Sequence, residues 1–151
     1  IVVAMSGSRY ILPIYAIREI VRVMPSEYTE ISDSGKVVNI RGALMPVINI
    51  EKVLGDIHWN QGDHGSYSTE FRSGNLKDRN ETMLVVIESM SGFMAMPVDD
   101  VIGQAQVVVK PMTGAAQIPE VAGAAILGNG RTVLILEPGA IVSTFAQKVA
   151  A

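Results

Sequence analysis

The fold of this chain is decided by one stretch in its first third, Gly35-Lys36-Val37-Val38-Asn39-Ile40-Arg41-Gly42-Ala43-Leu44-Met45-Pro46-Val47-Ile48-Asn49-Ile50. Two short runs rich in valine and isoleucine flank a corner at Arg41 and Gly42, and such runs favour β-strands over a helix. Glycine adopts a positive φ without steric cost, so Gly42 suits the corner. Pro46 has no amide hydrogen and suits a strand edge or a bulge. The stretch therefore predicts a strand–corner–strand unit that presents Arg41.

Length and composition limit the possible classes of protein. The chain has 151 residues, of which 48% are hydrophobic and 18% charged, which suits one domain or two small subdomains with a shared core. Because the net charge is −3, we expect no strong electrostatic attraction to nucleic acid or to an anionic membrane. Cysteine is absent, which excludes disulfides and thiolate chemistry and is typical of a cytosolic protein. No apolar run approaches the ~20 residues of a membrane span. Because the chain begins with an apolar run at Ile1 rather than with Met, we expect a domain of a longer protein.

Short strand signals extend on both sides of the organising stretch. The opening predicts a hairpin of residues 1–5 and 9–14. Further strands are expected at residues 19–23, 82–88, 93–98, 101–109, 124–127 and 132–136, with a bulge near Gly103. A helix is expected from Pro138 to about Ala150, with Ile141, Val142 and Phe145 on one face. Residues 56–81 hold both histidines and the only tryptophan, and their polar composition predicts a long surface loop.

The two halves of the chain share a pattern. Pro13 recurs as Pro97 within similar apolar contexts, and Gly42 recurs as Gly130 ahead of a second apolar strand, at a similar spacing. Repetition of this kind indicates two copies of one small, strand-rich subdomain. Several short strands joined by turns are typical of small barrels or of a sandwich.

These motifs resemble the CheW-like domain of bacterial chemotaxis. Residues 10–21 are similar to the opening segment of that family, residues 38–50 to its central signature, and residues 98–104 to the matching segment of its second half. The version of this domain at the C-terminal end of the histidine kinase CheA is similar to three further segments, residues 107–112, 121–130 and 131–137. Two features depart from the kinase pattern, namely Glu137, where that pattern usually has Asp, and the long segment 56–81.

The resemblance implies a mostly β fold. We expect two five-stranded, SH3-like barrels packed along a hydrophobic seam, followed by a short C-terminal helix. The whole chain, residues 1–151, would form one CheW-like domain. The first barrel would take about residues 15–83, and the second would take about residues 1–14 and 84–151.

The resemblance also implies a role without catalysis. The domain would bind a CheW-type adaptor and the cytoplasmic tip of a chemoreceptor. It would couple receptor state to a kinase domain of the same chain, in the cytoplasm at receptor arrays on the inner membrane. Within the family, a free-standing CheW adaptor is the alternative. A different class is a small β-barrel hydrolase or ligand-binding protein that uses residues 56–81 as a lid.

The sequence offers no catalytic site, cofactor site or metal site. His58 and His64 lie near two aspartates, but their spacing matches no closed set of metal ligands, so a solvated loop is favoured. Asp99 and Asp100 are adjacent in the sequence, and on a strand such neighbouring side chains would point to opposite faces. They are therefore interpreted as a turn or partner-facing pair rather than as catalytic carboxylates.

Two groups of residues are the candidates for function. Glu19 and Arg41 match family positions that carry an acidic and a basic residue, and the pair is either structural or part of a partner surface. The candidates for partner contact are apolar residues near the ends of the two repeated units: Leu44 and Met45 in the first half, and Val108 and Met112 in the second. Met45 and Met112 are the methionines that we expect to be exposed, since methionine adapts to irregular partner surfaces.

Overall fold

The computed structural model describes residues 1–5, 8–31, 35–54, 81–111 and 118–150. Within these residues the elements are, in chain order, β1 (Val2–Met5), β2 (Ser8–Ile11), β3 (Ile17–Val23), β4 (Tyr28–Ile31), β5 (Gly35–Ile40), β6 (Ala43–Pro46), α1 (Ile50–Leu54), β7 (Thr82–Ser89), β8 (Gly92–Val98), β9 (Asp100–Gly103), β10 (Val109–Lys110), β11 (Val121–Ile126), β12 (Thr132–Leu136) and α2 (Pro138–Ala150). Short 3-10 turns at Ile14–Ala16 and Pro25–Glu27 lead into β3 and β4. Apart from Glu81, the predicted loop at residues 56–81 lies outside the described residues.

The predicted corner is a two-residue hairpin between β5 and β6. Ile40 pairs with Ala43, and the two residues between them have positive φ angles, 52° at Arg41 and 84° at Gly42. Two successive positive φ angles give the backbone twist that matches antiparallel strands. The amide of Gly42 donates a hydrogen bond of 2.9 Å to Oδ1 of Asn39. The corner is therefore stabilised by the backbone freedom of Gly42 and by the hydrogen bond from its amide to the Asn39 side chain.

The strands form three sheets. One has six strands in the order β10-β11-β12-β2-β1-β9, and the others have the orders β3-β7-β8 and β4-β5-β6. The predicted opening hairpin is confirmed as the antiparallel pair β1–β2, whereas β2 and β12 pair in parallel. Val47 bridges to Ala95, and the amide of Ile48 donates 2.8 Å to the carbonyl of Ala95. This contact joins the two three-stranded sheets into one barrel-like unit.

Three apolar clusters of buried residues account for most of the core in the described part of the chain. The first-barrel core consists of Val23, Val38, Ile40, Met45, Leu84, Val86 and Ala95. The second-barrel core consists of Val2, Ile11, Ala125, Val133 and Ile135. The seam between them is the largest and consists of Val3, Met5, Leu12, Ala16, Ile48, Ile50, Val53, Val85, Ile87, Met94, Met96, Val98, Leu136, Ile141 and Val142. The predicted fold class, mostly β with paired small barrels and a C-terminal helix, is confirmed.

Both faces of strand β7 are buried, which explains why its sequence is apolar without interruption. Leu84 and Val86 point into the first-barrel core, whereas Val85 and Ile87 point into the seam, and all four are fully buried. Successive side chains of a strand alternate between its faces, so a strand with both faces buried loses the polar alternation. The division of the chain near residues 83 and 84 stays a prediction. In the structure β7 begins at Thr82 and pairs with both β3 and β8.

The predicted strand at residues 101–109 is wrong in its extent. It consists of β9 and β10, with residues 104–108 outside any strand. β9 pairs with β1 at one edge of the six-stranded sheet and β10 pairs with β11 at the other, so the chain must cross between them. Gly103 has a φ of 147°, and the register against β1 shifts between Val2 and Val3. The irregularity predicted near Gly103 is therefore present, and it marks the end of β9.

Candidate interaction surface

The predicted ion pair joins β3 to the corner of the β5–β6 hairpin. Nη1 of Arg41 lies 2.8 Å from Oε2 of Glu19. The Arg41 side chain is 76% exposed and that of Glu19 is 27% exposed. A pair with so much access to water is typically worth ~0–1 kcal/mol, because solvent screens the attraction and two long side chains lose rotamer freedom. The pair is therefore placed where a partner can reach it, and its role stays a proposal.

Leu44 and Met45 are adjacent on β6 and point to opposite sides. Leu44 is 69% exposed and pairs with Asn39, which is also exposed. Met45 is 6% exposed and pairs with Val38 inside the first-barrel core. The expectation that Met45 is exposed is therefore wrong, because alternation along a strand allows only one of two neighbours to face the solvent. Of the two, Leu44 is available for contact.

A second exposed apolar patch lies at the edge of the six-stranded sheet. Val108, which precedes β10, is 78% exposed, and Val109 and Ile126 beside it are exposed as well. A Cβ atom on Gly123 would lie 2.8 Å from the carbonyl oxygen of Lys110, so glycine lets β10 and β11 approach closely. Sequence reasoning missed Val109 and Ile126, whose exposure follows from the short edge strand. Met112 lies outside the described residues.

A third set of exposed apolar side chains lies near the β7–β8 turn, and sequence reasoning missed it. Ile14, Tyr15, Met90 and Phe93 are exposed there. The guanidinium carbon of Arg18 lies 6.0 Å from the centroid of the Phe93 ring, at the limit of a cation–π contact. No sequence pattern had brought Arg18 and Phe93 together, since they lie on different strands, β3 and β8.

Only some of the candidates for catalysis and metal binding lie among the described residues. Among the described residues, no group of three His, Cys, Asp or Glu side chains is placed to hold a metal ion. His58 and His64 lie outside the described residues. Asp99 lies at the bend between β8 and β9, and Oδ1 of Asp100 accepts a hydrogen bond of 2.9 Å from the amide of Val101. Asp100 thus has a local backbone partner next to the predicted turn.

The family model of the CheW-like domain matches residues 1–146. The chain belongs to the CheW-like domain family. Curated relatives of this CheW-like domain are chemotaxis proteins CheA. That of Cereibacter sphaeroides is 32% identical over 91% of this chain and 18% of its own length. That of Salmonella typhimurium is 28% identical over 92% of this chain and 18% of its own length. That of Halobacterium salinarum is 32% identical over 87% of this chain and 17% of its own length. The CheW-like domain thus spans less than a fifth of these relatives.

A solved structure shares the fold. The crystal structure of the scaffolding protein TtCheW from Thermoanaerobacter tengcongensis matches with a TM-score of 0.59 and 18% identity, over 93% of this chain and 88% of that one. The CheW-like architecture derived from the strands is thus also found in a solved protein. In the described part of this CheW-like domain, no helix has the length and hydrophobicity needed to cross a bilayer.

Tyr28, which packs against the first-barrel core of this CheW-like domain, has a buried hydroxyl that forms no hydrogen bond of ordinary geometry with the described residues, although the Thr82 side chain lies near enough to interact with it. Burial raises the pKa of Tyr28 above its usual 10.0, and the Glu27 carboxylate acts in the same direction, while the nearby Thr82 side chain and Lys36 ammonium lower it. The folded protein therefore keeps this proton at a pH where the unfolded chain loses it. Tyr28 thus leaves stability unchanged below pH 10 and lowers it as the pH rises from 10 through the folded-state pKa.

We expect Tyr28→Phe to reduce this alkaline loss, because the group that ionises is removed. At pH 7 the variant should match the wild type or exceed it by up to ~1 kcal/mol, since a buried hydroxyl without a hydrogen bond of ordinary geometry is removed. Urea unfolding at pH 7, 10 and 11 measures both effects. Tyr15→Phe is the matched control, because Tyr15 is exposed. Equal losses above pH 10 in wild type and Tyr28→Phe would contradict the assignment.

Proposed function

We propose that this CheW-like domain is a non-catalytic regulatory and scaffolding unit of a chemotaxis histidine kinase. In this proposal it binds a CheW-type adaptor and the cytoplasmic tip of a chemoreceptor, and couples receptor state to the kinase domain of the same chain. The observation that carries the proposal is the match of nearly the whole chain to less than a fifth of several CheA proteins, at 26–32% identity. The domain would act in the cytoplasm, at receptor arrays on the inner membrane.

A free-standing CheW adaptor is the second candidate, because the solved structure that shares the fold is a CheW protein. The sequence that precedes Ile1 in the full gene product separates the two, since a kinase domain there is expected only for the first. Family membership favours both over the small-barrel hydrolase or ligand-binding protein.

Two exposed apolar patches support docking at the ends of the barrels. Leu44 stands beside the Arg41 corner of the first barrel, with exposed Asn39 opposite it. Val108 and Val109 stand at the edge of the second barrel, next to the exposed Lys110. A small apolar centre inside a polar rim is how reversible interfaces gain most of their energy. We therefore propose Leu44 and Val108 as contact residues, with Met112 as a further candidate and the Glu19–Arg41 pair within the rim of the first patch.

We expect Leu44→Asp to weaken adaptor binding at least about tenfold, or ~1.4 kcal/mol, because it places a charge in the apolar centre. Calorimetric titration with the CheW adaptor of the same organism measures the loss. Thr29→Asp is the matched control, since it adds the same charge at an exposed position of the same sheet. A change from low to physiological salt should alter wild-type affinity less, because a net charge of −3 gives little steering.

The variants must first be shown to unfold at the wild-type temperature. Val108→Asp tests the second patch in the same way. If folded Leu44→Asp and Val108→Asp both bind the adaptor with wild-type affinity, the barrel ends are not the docking surface.

A further inference from the structure

The C-terminal helix α2 lies against the seam between the two barrels. Ile141 and Val142 are buried there, and Phe145 packs against the same cluster. Pro138 opens the helix, where its missing amide hydrogen costs nothing. The half-buried Thr144 and the exposed Lys148 of α2 carry polar groups that reach two different parts of the molecule.

The first polar contact joins α2 to the second barrel. Oγ1 of Thr144 donates a hydrogen bond of 2.5 Å to Oε1 of Glu120, which immediately precedes β11. Glu120 is 8% exposed and is the one buried charged residue in the described part of the chain. Its carbonyl oxygen also accepts a hydrogen bond of 2.8 Å from the amide of Glu137, which immediately precedes α2. Glu120 is thus held at both its backbone and its side chain.

The second polar contact joins α2 to the helix that follows the first barrel's hairpin. Nζ of Lys148 donates a hydrogen bond of 3.4 Å to the carbonyl of Val53 in α1. Val53 is itself buried in the seam. The contacts of Thr144 and Lys148 therefore tie one helix to elements of both barrels.

A buried glutamate at this position is costly unless it is paired. Apolar contacts of Ile141, Val142 and Phe145 have no preferred direction, so they tolerate small rotations and shifts of the helix. A hydrogen bond to a buried carboxylate is satisfied only over a narrow range of distance and angle, and its loss leaves the charge without a partner. Buried polar pairs of this kind can select one arrangement at some cost in stability.

We propose that the Glu120–Thr144 hydrogen bond is a latch that fixes α2 in one position across the seam and so holds the two barrels in one relative orientation. An assembly that contacts both barrel ends would then meet them in one fixed relative orientation, which the position of α2 determines. This consequence rests on the proposed function, whereas the latch itself does not.

The test uses Thr144→Val, which keeps the branched shape of the side chain and removes the donor. We expect amide hydrogen exchange in α2 to rise at least tenfold, while the amides of β5 and β7 keep their wild-type rates. Residual dipolar couplings should fit one alignment tensor for both barrels in the wild type, and two in the variant. Ser143→Ala is the matched control, because the Ser143 hydroxyl bonds only within α2, to the carbonyl of Gly139. Thr144→Ser restores a hydroxyl and should restore the wild-type result.

A second variant separates orientation from stability. Glu120→Met combined with Thr144→Val replaces the latch by apolar packing, so it should fold at least as well as the wild type and still show two tensors. This variant also serves if Thr144→Val alone does not fold. The proposal is overturned if the double variant keeps a single tensor and wild-type protection of α2. It is equally overturned if Thr144→Val speeds exchange uniformly throughout both barrels, because the bond would then contribute only to overall stability.

Discussion

Met45→Asp is expected to unfold the domain, whereas the same substitution at the neighbouring Leu44 should leave the protein folded. Met45 packs inside the first-barrel core, opposite Val38 on β5. Loss of a buried methionine side chain costs ~2–5 kcal/mol. A carboxylate without a partner in an apolar core adds several kcal/mol more, unless it takes up a proton. The sum approaches the ~5–15 kcal/mol that stabilises a typical domain.

Thermal unfolding followed by circular dichroism, together with a two-dimensional amide NMR spectrum, measures this difference. We expect Met45→Asp to lose the dispersed amide signals of both barrels at 25 °C, and Leu44→Asp to keep them. Met45→Leu is the control for size, since a volume-conserving apolar exchange costs less than ~1.5 kcal/mol. If Met45→Asp melts cooperatively within a few degrees of the wild type, Met45 is not part of a packed core.

The corner and most strands were predictable because their signals are local. Gly42 marks the turn by its backbone freedom, and the apolar runs beside it are too short for helices. The opposite orientations of Leu44 and Met45 were also available in the sequence. Two neighbours on one strand cannot share a face, so only one of them could be an exposed contact. Met45 was wrongly expected to be exposed because its residue type was considered before the alternation of side chains along the strand.

Other features depend on contacts between distant parts of the chain. The parallel pairing of Leu134 with Tyr10 joins residues near the two ends of the sequence, and no local pattern specifies it. The split of residues 101–109 likewise follows from which sheet edge each half joins. Glutamate is a residue type that usually lies on the surface, and the burial of Glu120 arises from the position of α2. Local propensity fixes elements, and tertiary packing decides which faces are buried.

Ile87→Ala is expected to lower the free energy of unfolding by ~2–5 kcal/mol, the range for an aliphatic side chain cut back to alanine in a core. Ile87 is fully buried in the seam, which receives side chains from β1, β7, β8, β12 and both helices. The seam is the largest apolar cluster of the described residues. Neither barrel can keep its seam-facing surface buried once the other has unfolded. We therefore expect one unfolding transition for the whole domain, shifted as a unit by the substitution.

Differential scanning calorimetry tests this expectation. It measures the ratio of the calorimetric to the van't Hoff enthalpy, which is one for a two-state transition. Glu88→Ala is the matched control, since Glu88 is the exposed neighbour of Ile87 on β7 and should change stability by less than ~0.5 kcal/mol. Val86→Ala removes a side chain from the first-barrel core, on the opposite face of the same strand. If the seam unites the domain, Val86→Ala and Ile87→Ala will both shift the same single transition. Two resolved transitions, of which Val86→Ala moves only one, would show that the barrels unfold separately and that the seam is a weak contact between independent units.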